Sequence, residues 1–444
     1  MMNLYDPIVE KAIDMAIELG ADQARAILEK DIENSVIVLD NEVDRLMSSS
    51  GSTLFLQLFV DGRYGYFTTN MLREDELRKF IASSLESTRL IAKDICRGLP
   101  ESELYFRGET FDLKQYDSRI ETLTTDERIA RAKAVSGEVY GREKKLLSIE
   151  TEWGDEIEYS SFADSQGFRG ETLQSSFTIS ANCSIKGRGD EKPESWWYEG
   201  DMFLDRITTS GCGRKAYQRG IEALNPKRLK SGRYDIVIEN TVSSRMVSPI
   251  LSALSGGNLQ QGNSFLKDSL GKKMFSDGLT LVDRPHTAGR SGARFFDDDC
   301  VATKDRDIIR NGVVSNYFIS PYYSRKMGIP ATISGASVLE FIKPAGIEEK
   351  ELNLQDILKK TGRGILITDF NGGNYNSATG DFSYGIRGFL FENGATVHPI
   401  REMNITGNVV TLWNNLMAIG DDGRKCSKWA IPTLAFSDVN FSGI

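Results

Sequence analysis

The sequence contains very little histidine, with only His286 and His398 among its 444 residues. Imidazole is the usual general base near neutral pH and the commonest ligand of catalytic zinc. Two histidines this far apart cannot form HExxH or HExxxH, and a His-rich metal cluster is excluded. If the chain belongs to a hydrolase, we therefore expect that it is not the subunit that cuts.

The cysteine content, the absence of long apolar runs and the net charge further limit the possible functions. The five cysteines contain no CxxC pair, which is typical of a reduced compartment rather than a disulfide framework. No run approaches the roughly 20 apolar residues that a membrane span needs, and the first ten residues lack the apolar core of a secretory signal. We expect a cytoplasmic protein. The net charge of −9 repels phosphate backbones, so no direct nucleic-acid partner is expected.

The length predicts two or three domains, because single cores stop growing near ~250–300 residues. The fold class is α+β, with long hairpins and helices in the N-terminal region. We place an N-terminal α+β domain at 1–100 and a central α+β domain at 101–228. Residues 229–444 form a β-rich domain built on a large antiparallel, barrel-like sheet.

Local patterns predict individual elements. Asp61-Gly62 favours a hairpin turn, whereas Ala24–Leu28 and Ser35–Leu39 have the pattern of separate short strands. Further predictions are a helix from Asp201 to Ala223, a helix from Val242 to Leu254 that stops at Ser255-Gly256-Gly257, and a turn at Asn371-Gly372-Gly373. The paired rings of Trp196-Trp197-Tyr198 favour a domain seam over an exposed binding surface.

Three residues are candidates for a catalytic site of the chain's own. Ser269 and Lys272 match SxxK, but the companion motifs of Ser/Lys hydrolases are absent, which favours a turn. Asp297-Asp298-Asp299 offers oxygen ligands without the spacing of a calcium loop. Cys426 is an isolated thiol. An enzyme with its own site would need Ser269, Asp297 or Cys426 to act as the nucleophile.

Several segments of the C-terminal half resemble, in the same order, the C-terminal domain of the TldD/TldE (PmbA) family. They are SGGNLQQGNSFLKDSLGKK from Ser255, RPHTAGRSGARFFDDDC from Arg284, TGDFSYGIRGFLFENG from Thr379 and ITGNVVTLWNNLMAIGDD from Ile405. The resemblance extends over about Tyr234 to Ile444 and is weaker but compatible in the N-terminal half. It implies a two-subunit metallopeptidase, historically called a modulator of DNA gyrase.

In this family the TldD-like subunit carries HExxxH and a later cysteine, which hold zinc. The corresponding helix here, Val242 to Leu254, has neither His nor Glu and is interrupted by Pro249. The resemblance therefore implies the TldE/PmbA-like subunit, with no catalytic residue, metal or cofactor in this chain. Zinc is expected in a TldD-like partner.

The resemblance also implies a chamber that admits unfolded, extended peptides, whose backbone a sheet edge can bind. Gly380, Asp381 and Phe382 are candidates for the peptide groove, although a tight turn explains Thr379-Gly380-Asp381 equally well. The alternative function is a stand-alone homo-oligomeric peptide-binding or regulatory protein without proteolytic activity, and the alternative to a TldD-like partner is self-association of the chain as a dimer. Neither hypothesis involves a membrane.

Overall fold

The computed structural model describes residues 7–343 and 351–443 of the chain. The helices are α1 (Ile8–Glu18), α2 (Glu74–Arg89), α3 (Thr125–Ser136), α4 (Cys212–Glu222), α5 (Ser244–Ala253), α6 (Gly256–Gln260), α7 (Pro321–Met327), α8 (Leu354–Thr361) and α9 (Val409–Asn414). The strands are β1 (Gln23–Leu39), β2 (Glu42–Val60), β3 (Arg63–Thr69), β4 (Leu146–Asp164), β5 (Arg169–Ile185), β6 (Glu194–Asp201), β7 (Gly232–Ile238), β8 (Leu281–Asp283), β9 (Arg306–Arg310), β10 (Val313–Val314), β11 (Leu339–Phe341), β12 (Arg363–Tyr375), β13 (Asp381–Glu392), β14 (Ala395–Asn408), β15 (Leu416–Ile419) and β16 (Leu434–Ser442). No described helix combines the length and apolarity needed to cross a membrane.

The N-terminal half is built on one antiparallel sheet of order β3-β2-β1-β4-β5-β6. The hairpin turn predicted at Asp61-Gly62 is confirmed, and both residues have positive φ. Both stretches predicted as strands, Ala24–Leu28 and Ser35–Leu39, do lie in a strand, but the break expected between them is wrong, because β1 runs through both. Its polar middle pairs with β2 on one side and β4 on the other, so the backbone is satisfied without an apolar pattern.

This sheet crosses the boundary predicted near residue 100, since β1 pairs with β4. Helices α1 and α2 cover one half of a single sheet face, and α3 and α4 cover the other half. The opposite face carries none of these four helices. Residues 1–100 and 101–228 therefore contribute strands to the same sheet. Their division into two domains stays a prediction.

The helix predicted from Asp201 to Ala223 is wrong over its first half. β6 extends to Asp201, with Ser195 and Trp197 buried in the two-residue period of a strand. α4 begins only at Cys212, after Gly211 has turned the chain at φ +86°.

The C-terminal half contains the predicted barrel-like sheet. Strands follow the order β14-β13-β12-β7-β16, and pairing of β14 with β16 closes the ring. The pairs are antiparallel except for β7 with β12. One face of the sheet packs on α5 and α9, where Trp413 Nε1 donates to the Met246 carbonyl over 3.2 Å. The other face packs on α8.

Two glycine-rich signals need correction. Asn371-Gly372-Gly373 is a bulged part of β12 and not a turn, since the backbone at Gly373 approaches β13 so closely that a Cβ would lie 2.0 Å from the Ser383 oxygen. Ser255-Gly256-Gly257 does stop α5, but Ser255 then caps α6 by accepting a hydrogen bond from the Asn258 amide.

The seam between the two halves includes the predicted paired rings. The Arg424 guanidinium of the C-terminal half lies 4.1 Å from the centre of the Trp197 ring and 4.4 Å from that of Tyr198. At the other end of the seam, Arg97 lies between Tyr64 and Tyr322. The expectation that the rings seal a domain contact is confirmed for Trp197 and Tyr198, whereas Trp196 is 44% exposed.

Candidate functional site

A cleft of about 440 Å³ opens along α5. Its lining comprises the hydroxyls of Ser248, Ser252, Ser255 and Ser334, the charged groups of Arg294, Asp298 and Lys428, Gly335, and the apolar side chains of Leu251, Phe318, Ala336 and Trp429. Five sequence segments therefore meet at one surface. The volume lies in the range of ligand pockets, about 300–1,000 Å³.

The amphipathic pattern of α5 determines which side chains face this cleft. Met246, Val247 and Ile250 are buried in the core, whereas Ser248 and Ser252 lie one helical turn apart on the outer face. This face presents hydroxyl and apolar groups to the cleft.

The charged groups lie opposite α5. Arg294 donates through Nε to Ser337 Oγ at 3.0 Å and through Nη2 to the Gly335 carbonyl at 3.3 Å. Its Nη1 lies 3.2 Å from Asp298 Oδ1. Lys428 forms no ion pair within the described ranges, 7–343 and 351–443. Partial burial and the nearby charge of Arg294 lower the pKa of Lys428.

An acidic wall adjoins the cleft. The face of the N-terminal sheet opposite α1 to α4 carries a group of carboxylates on β1 and β4, namely Glu29, Asp31, Glu33, Glu156 and Glu158. Partial burial raises the pKa of Glu29, and the neighbouring charges of Glu158 and Asp298 raise it further. Asp298 thus lies at the junction between the acidic wall and the cleft.

The groove residues expected from the sequence lie elsewhere, at the turn between β12 and β13. Gly380 has φ +80°, and Asp381 is exposed and accepts hydrogen bonds from Thr379 Oγ1 at 2.8 Å and Asn408 Nδ2 at 3.0 Å. Phe382 is buried, stacks on Tyr384 and lines a separate cavity of about 140 Å³. The structure does not bring these three residues to the α5 cleft, and their assignment to a peptide groove stays a prediction.

The three nucleophile candidates are also apart. Ser269 is buried and its hydroxyl donates to the Leu266 carbonyl at 2.5 Å, in the turn favoured from the sequence. Asp297 is buried and accepts hydrogen bonds from backbone amides, including that of Ser334 at 2.8 Å. Cys426 lies in a loop against Gly200. The side chains of Ser269 and Asp297 therefore both form hydrogen bonds with the backbone of loops.

The residues at the cleft do not fit a catalytic zinc ion, which requires His, Cys or carboxylate ligands. His286 bonds Thr303 Oγ1 at 3.1 Å, and the Nδ1 atom of His398 lies 3.1 Å from the Pro399 carbonyl oxygen. Neither histidine lines the cleft. Within residues 7–343 and 351–443, no group of three or more His, Cys, Asp or Glu side chains is placed to hold a metal ion.

Sequence reasoning missed Arg294 and Lys428 as cleft residues. Arg294 lies inside one of the family-like segments and Lys428 lies two residues after Cys426, but no local pattern marks either side chain as part of a site. Arg294 and Lys428 are recognised as cleft residues only because the fold places them beside α5.

Comparisons with known proteins agree with this fold. Residues 231–443 match the profile described as the PmbA/TldA metallopeptidase C-terminal domain, and residues 24–88 match PmbA/TldA metallopeptidase domain 1. The Metalloprotease PmbA of Escherichia coli O157:H7 is 25% identical, over 98% of this chain and 96% of that protein.

Two solved structures are similar over nearly the whole chain. A Bacteroides thetaiotaomicron protein described as a modulator of DNA gyrase is 42% identical, with a TM-score of 0.94 and 98% coverage of both chains. TldE from Thermococcus kodakarensis is 19% identical, with a TM-score of 0.82, and covers 98% of this chain and 100% of its own. The second likeness concerns the fold alone. With the matching profiles and the 42% identical relative, the chain belongs to the PmbA/TldD metallopeptidase family.

Proposed function

We propose that this chain is the zinc-free, non-catalytic TldE/PmbA-like subunit of a cytoplasmic TldD/TldE-type metallopeptidase that processes unfolded peptides. The supporting observation is the outer face of α5, the helix that corresponds to the zinc helix of TldD-like subunits. That face offers Ser248, Leu251 and Ser252, none of which is a strong zinc ligand or a general base.

In such a pair, zinc bound by the TldD-like partner would supply a Lewis acid and an activated water. The residues of this chain would position the peptide. Hydroxyls of Ser252 and Ser334 can exchange hydrogen bonds with an extended backbone, and Leu251 and Trp429 can contact its side chains. The cleft would therefore restrict access to chains that are already unfolded.

The test compares peptide cleavage and zinc content for this chain, its TldD-like partner and the co-purified pair. We expect zinc and the active centre in the partner, cleavage of an unfolded peptide by the pair, and neither zinc nor cleavage with this chain alone. Stoichiometric zinc together with cleavage by this chain alone contradicts the proposal. Recovery of self-associated chains only, without a TldD-like protein, favours the homo-oligomeric alternative.

A matched pair of substitutions on α5 tests the role of the cleft. Ser248→Arg fills the cleft, whereas Ser244→Arg adds the same charge to an exposed residue of the same helix that does not line it. We expect Ser248→Arg to lower cleavage by the pair about tenfold, with assembly retained, because the peptide loses its binding space. Equal activity of both variants would show that the cleft does not contact the substrate.

A further inference from the structure

Among the charged side chains that line the α5 cleft, Arg294 and Lys428 are cationic and Asp298 is acidic, and the buried carboxylate of Asp283 also lies near both cations. Arg294 pairs with Asp298, whose side chain is 85% exposed, and Lys428 has no ion-pair partner in the described part of the chain. The cleft surface thus carries an excess of positive charge beside the acidic wall. Asp298 is screened by solvent, and Asp283 is buried and accepts hydrogen bonds from the Ser337 and Val338 amides, so the two cations at the cleft surface favour binding of a further anion.

Arg294 is positioned before any ligand arrives, whereas Lys428 is exposed and only its stem has a contact. Arg294 is bound to Ser337, to the Gly335 carbonyl and to Asp298, and its side chain is only 19% exposed. The stem of Lys428 packs on Gly292, where an added Cβ would lie 3.3 Å from Lys428 Cγ. Because the Arg294 side chain is already ordered, binding an anion to it costs little conformational entropy.

The remaining lining limits the kind of anion. The hydroxyl of Ser252, which accepts from Asn258 Nδ2 and keeps its own O–H group, can donate to a small oxyanion, while Leu251, Phe318 and Trp429 provide an apolar surface beside it. A free carboxylate next to an apolar side chain has this combination of groups. The C-terminal residue of a peptide is such a ligand.

We propose that the α5 cleft binds the free C-terminal carboxylate of a peptide through Arg294 and Lys428, with an apolar C-terminal side chain against Leu251 and Trp429. The inference rests on the proposed function in taking a peptide as the ligand. It adds that this subunit recognises a chain end, whereas the partner acts within the peptide.

The experiment measures fluorescence anisotropy of a labelled peptide ending in Phe, as the free acid and as the C-terminal amide, with the full isolated chain. We expect the amide to bind about tenfold more weakly, because the charge-assisted hydrogen bonds are lost. This comparison requires no substitution in the protein. Equal affinity for the two peptides overturns the proposal and leaves peptide cleavage by the two-subunit pair unaffected.

Substitutions then locate the carboxylate. Lys428→Met should weaken binding of the free acid about tenfold and leave the amide unchanged. Lys425→Met removes the same charge from an exposed residue outside the cleft and should change neither. Equal losses from both variants would indicate a general charge effect and overturn the assignment.

Competition separates a chain-end site from a simple anion site. N-acetyl-phenylalanine should displace the labelled acid at concentrations at least about tenfold lower than acetate does, because its ring also contacts the apolar wall. Equal potency of acetate would overturn the peptide part of the proposal.

Discussion

The guanidinium of Arg25 donates a hydrogen bond to the backbone carbonyl of Asp299 over 3.0 Å and lies 3.3 Å from Asp164 Oδ2. The Arg25 side chain is only 1% exposed. It therefore connects β1 of the N-terminal sheet with the loop that supplies Asp298 to the α5 cleft. The two halves of the chain meet through a buried charge and not only through apolar contact.

Replacing Arg25 by Met should lower the free energy of unfolding by about 3 kcal/mol, because Asp164 would keep a buried charge without its cation. Urea denaturation followed by circular dichroism measures this change. Arg78→Met is the control, since Arg78 and Glu18 form a pair whose side chains are 51% and 62% exposed. That exposed pair should contribute less than about 1 kcal/mol. Equal effects of the two substitutions would argue against a buried connection.

Asp299 should make stability depend on pH. Burial, and then the neighbouring Asp297, raise the pKa of Asp299 from 3.8 to about 6. Between these values the folded chain retains a proton that the unfolded chain has released, so stability from this group is highest below the unfolded pKa and falls as pH rises towards about 6.

We therefore compare the free energy of unfolding of Asp299→Asn with that of the unsubstituted chain. We expect this difference to shift in favour of the variant as the pH rises from about 4 to about 7. Urea unfolding at both pH values measures the difference. Asp277→Asn removes a carboxylate that is 79% exposed and controls for net charge. If the variant instead gained stability relative to the unsubstituted chain as the pH fell, the expected direction of the pH dependence would be wrong.

The turn at Gly380 should contribute to stability. Its φ of +80° disfavours side chains, and an added Cβ would lie 3.2 Å from Phe265 Cγ. Gly380→Ala should lower the free energy of unfolding by about 2 kcal/mol. Gly141→Ala, at φ +70° with nothing within 4 Å, should lose only about 1 kcal/mol. Weaker peptide binding by the folded Gly380→Ala protein alone would support the groove predicted from the sequence.

The thiols should fall into two reactivity classes. Burial raises the pKa of Cys183 and of Cys212 to about 12, and also raises that of Cys300. Because the thiolate is the reactive form, these three should react with Ellman's reagent only after unfolding. Cys96 and Cys426 are partly exposed and should react in the native chain. A Cys96→Ser/Cys426→Ser variant should show no rapid phase, and a rapid third thiol in the native protein would contradict the assignment.

Local sequence patterns correctly predicted those elements whose conformation depends on residues close together in the chain. Asp61-Gly62 favours positive φ at both turn positions, and the apolar spacing of Met246, Val247 and Ile250 defines the buried face of α5. The same signals failed where distant strands decide the conformation. The polar middle of β1 is a strand because β2 and β4 pair with it, and β12 continues through Asn371 because β13 lies alongside.

The sequence by itself determined what chemistry this chain lacks, since two distant histidines and a helix without His or Glu are properties of composition and spacing. It also carried enough ordered motifs to identify the family. Only the tertiary structure decided that Arg294 and Lys428 face α5 across one cleft and that Arg25 reaches Asp299. These contacts join residues far apart along the chain. Their geometry follows from sheet pairing and core packing, which no local pattern encodes.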